Sequence, residues 1–106
     1  MHIEVSYRDI PRTESIDARV HESLTGLDAK FGGRVTRVEV HIGDHNAFKP
    51  GGDDKRCMME ARPARMHPIA VEAEGEDLYE VIHRAARKLE RAITRRLERR
   101  RSRQAA

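Results

Sequence analysis

The stretch AVEAEGEDLYEVIHRAARKLERAI, residues 70–93, joins a strand pattern to a helix pattern and decides the fold. Apolar residues alternate with acidic ones as far as Gly75, which is typical of a half-buried strand that ends at a glycine. Asp77, followed by a glutamate three positions later, resembles a capping box at the start of a helix. An apolar stripe then continues at helical spacing, so we predict a last helix from Leu78 to about Arg101.

Three further strand patterns and one helix pattern precede this stretch. Residues 2–7, 35–42 and 56–62 alternate apolar and polar side chains with a period of two. Thr13 is a candidate N-cap for a helix over residues 14–31, which a Gly-Gly pair ends. The order β-α-β-β-β-α predicts an α+β sandwich in which two helices cover one face of a four-stranded sheet, the layout of double-stranded-RNA-binding folds.

The length of 106 residues leaves room for one modest core. We therefore predict a single domain over residues 1–101 and a disordered tail over 102–106. The turn formers in residues 43–54 predict a long loop. The chain shows neither a signal peptide nor an apolar run that could span a bilayer, so we expect a cytoplasmic protein without a membrane partner.

Positive charge is concentrated at the carboxyl end of the chain. Residues 1–83 contain 11 basic and 16 acidic residues, whereas residues 84–106 contain 10 basic and 2 acidic residues. The net charges of the two segments are −5 and +8. This asymmetry is typical of a polyanion-binding segment attached to a neutral or acidic body.

The basic residues of the last helix recur at spacings of three and four, which places many of them on one side of the helix. Solvated helix faces usually mix both signs of charge, but only Glu90 and Glu98 interrupt this positive run. Arginine also binds phosphate through a planar, bidentate fork. We therefore predict a cationic ridge that binds RNA through Arg84, Arg87, Lys88, Arg91, Arg95, Arg96 and Arg99.

Aromatic residues are too few for a base-stacking surface, since the chain has only four. Tyr7, Phe31 and Tyr79 fall on predicted core stripes, which leaves Phe48 in the loop as the one candidate contact. Recognition is therefore expected to depend on the shape and backbone of RNA.

Catalytic and metal-binding patterns are also missing from the sequence. His41, His45, Cys57 and His67 lack the paired short spacings of structural zinc sites, and Cys57 is expected to be a small core residue. No nucleophile-base pair or glycine-rich phosphate loop is discernible. We predict a protein that is not an enzyme and has no metal, cofactor or small-molecule substrate.

The chain resembles the family of ribosome hibernation-promoting factors and ribosome-associated inhibitors, also named sigma-54 modulation proteins. The similarity includes the strand HIEVSY, the helix start TESIDARV and the strand VEVHI. It is most specific in residues 70–93, where the family has a similar EDMY-type start and KLERQL-like core. Because the chain ends before a second, dimer-forming domain, it resembles the short form of the family.

The resemblance implies binding to ribosomal RNA of the small subunit, with neighbouring ribosomal proteins as further partners. Members of the family bind in the decoding region, occupy the tRNA and mRNA paths and inhibit translation. By matching positions, the RNA-facing basic residues of the family's last helix fall on Lys88, Arg91 and Arg95, all of which are basic here.

Two features depart from the family pattern. Positions of the first helix that are often basic in relatives are Ser23, Gly26 and Ala29 in this chain. The loop over residues 43–54 is longer and richer in glycine. We hypothesise that the arginines at the end of the last helix compensate for the charge that the first helix lacks.

Two other interpretations of the cationic ridge are open. A general module for structured RNA would show the same basic helix. An adaptor that binds an acidic protein partner would also be attracted to it.

Overall fold

The computed structural model describes residues 1–44 and 54–105. The predicted order of elements is confirmed, and a short 3-10 turn follows the first helix. The elements are β1 (His2–Arg8), α1 (Glu14–Phe31), the turn Gly32–Arg34, β2 (Val35–Asp44), β3 (Lys55–Pro63), β4 (Ile69–Gly75) and α2 (Leu78–Ala105). Most of the predicted loop, including His45 and Phe48, lies outside the described residues, and Gly43 and Asp44 belong to β2.

The sheet has the strand order β1-β2-β3-β4. β1 and β2 are parallel because α1 connects them as a crossover, whereas β2, β3 and β4 form an antiparallel meander. Both helices pack on one face of this sheet and leave the other face open. The predicted α+β sandwich is therefore confirmed.

The core lies between the sheet and the two helices. α1 contributes the predicted stripe from Ile16 to Phe31, and α2 contributes a stripe that includes Leu89 and Ile93. Cys57 is fully buried on the helix-covered face of β3, and this burial raises the pKa of its thiol to about 12. The prediction that Cys57 is a packing residue is confirmed, because a thiol with this pKa stays protonated and unreactive at neutral pH.

Thr13 and Asp77 cap the two helix starts, as the sequence predicts. The Thr13 hydroxyl accepts a hydrogen bond from the backbone N–H of Ile16 at 3.1 Å, and a carboxylate oxygen of Asp77 accepts one from Tyr79 N–H at 3.0 Å. Between β4 and α2, Gly75 allows the helix to approach the strand closely. A Cβ at this position would lie 3.0 Å from a methyl carbon of Val81.

α2 is much longer than the strand that it covers. Its 28 residues extend about 42 Å, whereas the seven residues of β4 extend about 24 Å. The last fully buried residue of α2 is Ile93, so the helix overhangs the sheet beyond this point. Neither of the two described helices contains a segment apolar enough to cross a membrane.

The predicted helix end at Arg101 is wrong, because α2 continues to Ala105. The residues after Arg101 are serine, arginine, glutamine and alanine, and none of them breaks a helix as glycine or proline would. The division into a ribosome-binding domain over residues 1–101 and a separate tail stays a prediction.

Candidate nucleic-acid interface

The outer side of α2 presents a row of arginines at intervals of four residues. Arg87, Arg91, Arg95 and Arg99 are all exposed, and we refer to these four residues as the outer ridge. None of them forms an ion pair with any residue in the described ranges 1–44 and 54–105. Their guanidinium groups are therefore available to an external anion.

The other three predicted RNA-binding residues, Arg84, Lys88 and Arg96, contact the backbone next to α2. Arg84 donates a hydrogen bond to the carbonyl oxygen of Glu74, and Lys88 Nζ donates one to that of Glu72 at 2.8 Å. Arg96 Nη1 donates to the carbonyl oxygen of His67 in the β3–β4 turn at 3.1 Å.

The hydrogen bonds of Arg84 and Lys88 cover the edge of the sheet, whereas that of Arg96 joins α2 to the β3–β4 turn. β4 is an edge strand, and the backbone groups of such an edge can pair with another chain unless side chains cover them. Arg84 and Lys88 remain exposed and have further N–H donors, so they can bind phosphate as well. The seven predicted residues thus form two groups, the outer ridge and a set that contacts the backbone of β4 and of the β3–β4 turn.

The groove between α1 and α2 has mixed charge. It measures about 290 Å³, and Arg19 and Arg87 lie on its walls together with Glu22 and Glu90. Glu90 also forms an ion pair with Lys30 of α1 at 3.7 Å. Positive charge therefore dominates on the outer side of α2 and not in the groove.

Ser23, Gly26 and Ala29 of α1 add no charge to this groove. Ser23 and Gly26 line it, and Gly26 and Ala29 are exposed. Cationic side chains at positions 23 and 26 would lie in the groove that Arg87 also lines. Their absence leaves α2 as the main source of positive charge on this side.

Tyr79 is exposed, with 38% of its surface accessible, so its assignment to the core was wrong. Its hydroxyl lies 2.8 Å from that of Ser15, and the Arg19 guanidinium lies 5.4 Å from the ring centre. The reason is helical geometry, because the neighbour of a buried residue such as Leu78 lies about 100° further around the helix axis. Of the other two residues assigned to the core, Phe31 is buried and Tyr7 is half-buried.

The Tyr7 side chain joins β1 to α1. Its hydroxyl donates a hydrogen bond to a carboxylate oxygen of Asp17 at 2.6 Å, and Arg12 donates to the same carboxylate. Burial, followed by this hydrogen bond, raises the pKa of Tyr7, and the Tyr7 hydroxyl lowers the pKa of Asp17. This cluster is structural and lies apart from the outer ridge.

The open face of the sheet, opposite the helices, consists of the even-numbered residues of β1, β3 and β4 and the odd-numbered residues of β2 from Arg37 onward, because the register shifts after the buried Val35. Within the described part of the chain, three of its four arginines, all except Arg8, are paired with glutamates. Arg37 contacts Glu4 and Glu39, and Arg62 contacts Glu39 and Glu60. The open face is charged, but it neutralises much of its own charge.

The residues weighed as metal ligands do not converge. His41 lies on the open face, where its Nδ1 is 2.8 Å from the Ser6 hydroxyl, whereas Cys57 lies on the helix-covered face. His67 lies in the β3–β4 turn. Within the described residues, no three histidine, cysteine or carboxylate side chains are grouped as metal ligands would be.

Comparison with known proteins identifies the family. Residues 3–101 match the family model described as sigma 54 modulation protein / S30EA ribosomal protein. The chain belongs to this family. Membership in the S30EA family makes it a ribosome-associated modulation factor, and the family is not one of enzymes.

Solved structures share the S30EA fold. The crystal structure of the Protein Y N-terminal domain from Thermus thermophilus is 26% identical, with a TM-score of 0.72 over 90% of this chain and 98% of that one. A ribosomal subunit interface protein from Coxiella burnetii is 13% identical, with a TM-score of 0.73 over 92% of this chain and 99% of that one. A search of curated proteins found no match.

Proposed function

We propose that this protein binds ribosomal RNA of the small subunit through the outer ridge of α2. It lies in the decoding region, occupies the tRNA and mRNA paths and inhibits translation in the cytoplasm. The observation that carries the proposal is the set of four exposed arginines without an ion pair in the described chain. Membership in the S30EA family supports a ribosomal partner.

The geometry of the outer ridge suits contact with a phosphate backbone. Residues four apart on a helix are separated by about 6 Å along its axis, so the ridge spans about 18 Å. Arginine forks bind phosphates bidentately, and each neutralised phosphate releases counterions. With no aromatic side chain on the ridge, recognition depends on backbone position and RNA shape rather than on base stacking.

The direct test is charge reversal on the outer ridge. The triple variant Arg91→Glu, Arg95→Glu and Arg99→Glu should weaken co-sedimentation with purified small subunits on the order of 100-fold, because three phosphate contacts become repulsions. Circular dichroism should be almost unchanged, since all three side chains are exposed.

The matched control reverses three arginines on the open face. Arg8→Glu, Arg56→Glu and Arg62→Glu change the net charge by the same amount, and circular dichroism checks that the new like charges beside Glu60 and Glu72 leave the fold intact. This variant should bind almost as the wild type does. Equal losses in both triple variants would show that net charge, and not the outer ridge, governs binding.

Competition with tRNA tests the decoding-region pose. The protein should inhibit initiation in a cell-free translation reaction, and preloaded initiator tRNA should protect the ribosomes. Simultaneous binding of tRNA and protein without mutual loss would contradict this pose.

Two further measurements separate the alternative functions. Binding spread over many cellular RNAs in a crosslinking map would favour the general RNA module, and binding that survives nuclease treatment would favour the adaptor.

A further inference from the structure

A second cationic feature lies where the overhanging part of α2 passes the β3–β4 turn. The two elements form a cleft of about 430 Å³. Arg65 and His67 of the turn face it, together with Arg96, Arg100 and Arg103 of α2. No acidic side chain is among the described residues that line this cleft.

The direction of α2 explains why arginines enter the cleft. Arg96 and Arg100 lie on the same side of the helix as Leu89 and Ile93, which pack on the sheet. Beyond the sheet, this side meets the turn, so both arginines are half-buried, unlike the exposed outer ridge. The hydrogen bond from Arg96 to the His67 carbonyl oxygen fixes the turn to the helix.

The backbone of Arg65 gives an independent indication. Its φ angle is +62°, in the left-handed region that favours glycine and disfavours a residue with a Cβ. A glycine would adopt this turn with less strain, but it would have no guanidinium group. Strained residues concentrate at functional sites, so the combination of strain and charge indicates a use for the Arg65 side chain.

We propose that this cleft binds phosphate groups of the RNA backbone and forms a second contact, separate from the outer ridge. Clustered cations repel one another in the free protein, and a bound phosphodiester backbone relieves that repulsion. Its phosphate oxygens accept bidentate hydrogen bonds from the arginine side chains. The proposal rests on the proposed function because it takes RNA as the ligand. It adds the β3–β4 turn as an RNA-binding element.

The variant Arg65→Gly tests the cleft. In the full chain, it should weaken binding to small subunits about fivefold, which is about 1 kcal/mol. The slope of the logarithm of the binding constant against the logarithm of salt concentration should decrease in magnitude by about 0.7–0.9, as expected for one lost phosphate contact. The melting temperature should equal or exceed that of the wild type, because glycine relieves the backbone strain.

The chain offers a matched control in Asp9, whose φ is +59° in the β1–α1 connection. Asp9→Gly relieves the same kind of strain without removing a cation, so it should leave the salt slope unchanged. Wild-type affinity and slope in Arg65→Gly would overturn the cleft proposal. A fall in its melting temperature that Asp9→Gly does not share would also overturn it, because it would show a structural role for the Arg65 side chain rather than the general effect of glycine on the unfolded chain.

The two proposals can fail separately. If ridge reversal abolishes binding and Arg65→Gly is harmless, only the cleft is wrong. If ridge reversal is harmless, the proposed function fails, whereas a reduced slope in Arg65→Gly would still support the cleft. Inorganic phosphate distinguishes the source of the phosphate, since tight binding of the free ion, seen as a shift of the Arg65 amide in NMR spectra, would contradict an RNA ligand.

Discussion

The open face of the sheet and the outer ridge of α2 are both rich in arginine, but they differ in whether nearby glutamates neutralise its charge. On the open face, Arg37, Arg56 and Arg62 each contact at least one glutamate. On the outer ridge, the arginines make no ion pair within the described residues. Charged residues make up 37% of the chain, so pairing, and not the number of charges, distinguishes a candidate binding surface from a solvated one.

Strand register and helix composition explain the difference. Across the open face, Glu4, Glu39 and Glu60 lie side by side, and the neighbouring row holds Arg37 and Arg62. Each arginine therefore reaches a carboxylate on its own strand or the next one. α2 has few acidic residues, and Glu90 reaches across to Lys30 of α1 instead of the outer ridge.

Apart from charge reversal on the outer ridge, the largest expected effect is that of salt concentration on ribosome binding. The four phosphate contacts of the outer ridge alone should give a log-log slope of about −3, so raising salt from about 50 to 200 mM should weaken binding at least about 60-fold. The open-face triple variant should show the same slope, because that face makes no contact with RNA. A slope near zero in the wild type would contradict phosphate binding by the outer ridge and favour the adaptor.

Removal of residues 99–106 should weaken ribosome binding about tenfold or more, which is about 1.4 kcal/mol. The deletion removes Arg99 from the outer ridge and two arginines from the cleft. Lysines introduced by Ser23→Lys and Ala29→Lys should restore part of the affinity, if the end of α2 compensates for the uncharged α1. Wild-type binding by the truncated chain would show that this end is only a solvated helix terminus.

A smaller effect is expected when the open face loses one carboxylate. Glu39 contacts Arg37 at 3.0 Å and Arg62 at 3.8 Å, so Glu39→Gln should lower the free energy of unfolding by at most about 1 kcal/mol. Arg37 keeps Glu4 and Arg62 keeps Glu60 as partners, so the loss of one carboxylate should raise affinity for a nonspecific RNA duplex only slightly, about twofold. Urea denaturation and fluorescence anisotropy measure the two quantities. Unchanged RNA affinity would weaken the conclusion that ion pairing keeps the open face from binding RNA.

The smallest effect concerns protonation of Glu4. A hydrogen bond from His2 and the charge of Arg37 lower the pKa of its carboxyl. Because the folded-state pKa is lowered, the stabilisation is present above the unfolded pKa of about 4.3 and is lost as pH falls through the folded value. Arg37→Gln should raise the NMR titration midpoint of Glu4 toward its ordinary value. An unchanged midpoint would show that the pair is not formed in solution.

The sequence alone determined the elements and their order. Alternation in the strands, the α1 stripe and the caps at Thr13 and Asp77 depend on neighbours in the chain, so local rules found them. The same rules detected the excess of arginine in α2 and the packing role of Cys57. They misplaced the end of α2, because nothing after Arg101 distinguishes a helix end from a continuing helix.

Only the tertiary structure decided which of the basic residues are available for binding. Arg96 meets the carbonyl oxygen of His67, 29 residues earlier in the chain. Arg65 likewise joins the α2 arginines only because the overhanging helix passes the β3–β4 turn. Helical spacing places charges on a face, but it does not show which strand edge or turn lies opposite. The physical reason is that hydrogen bonds and ion pairs act over a few ångströms in space, whatever the separation along the chain.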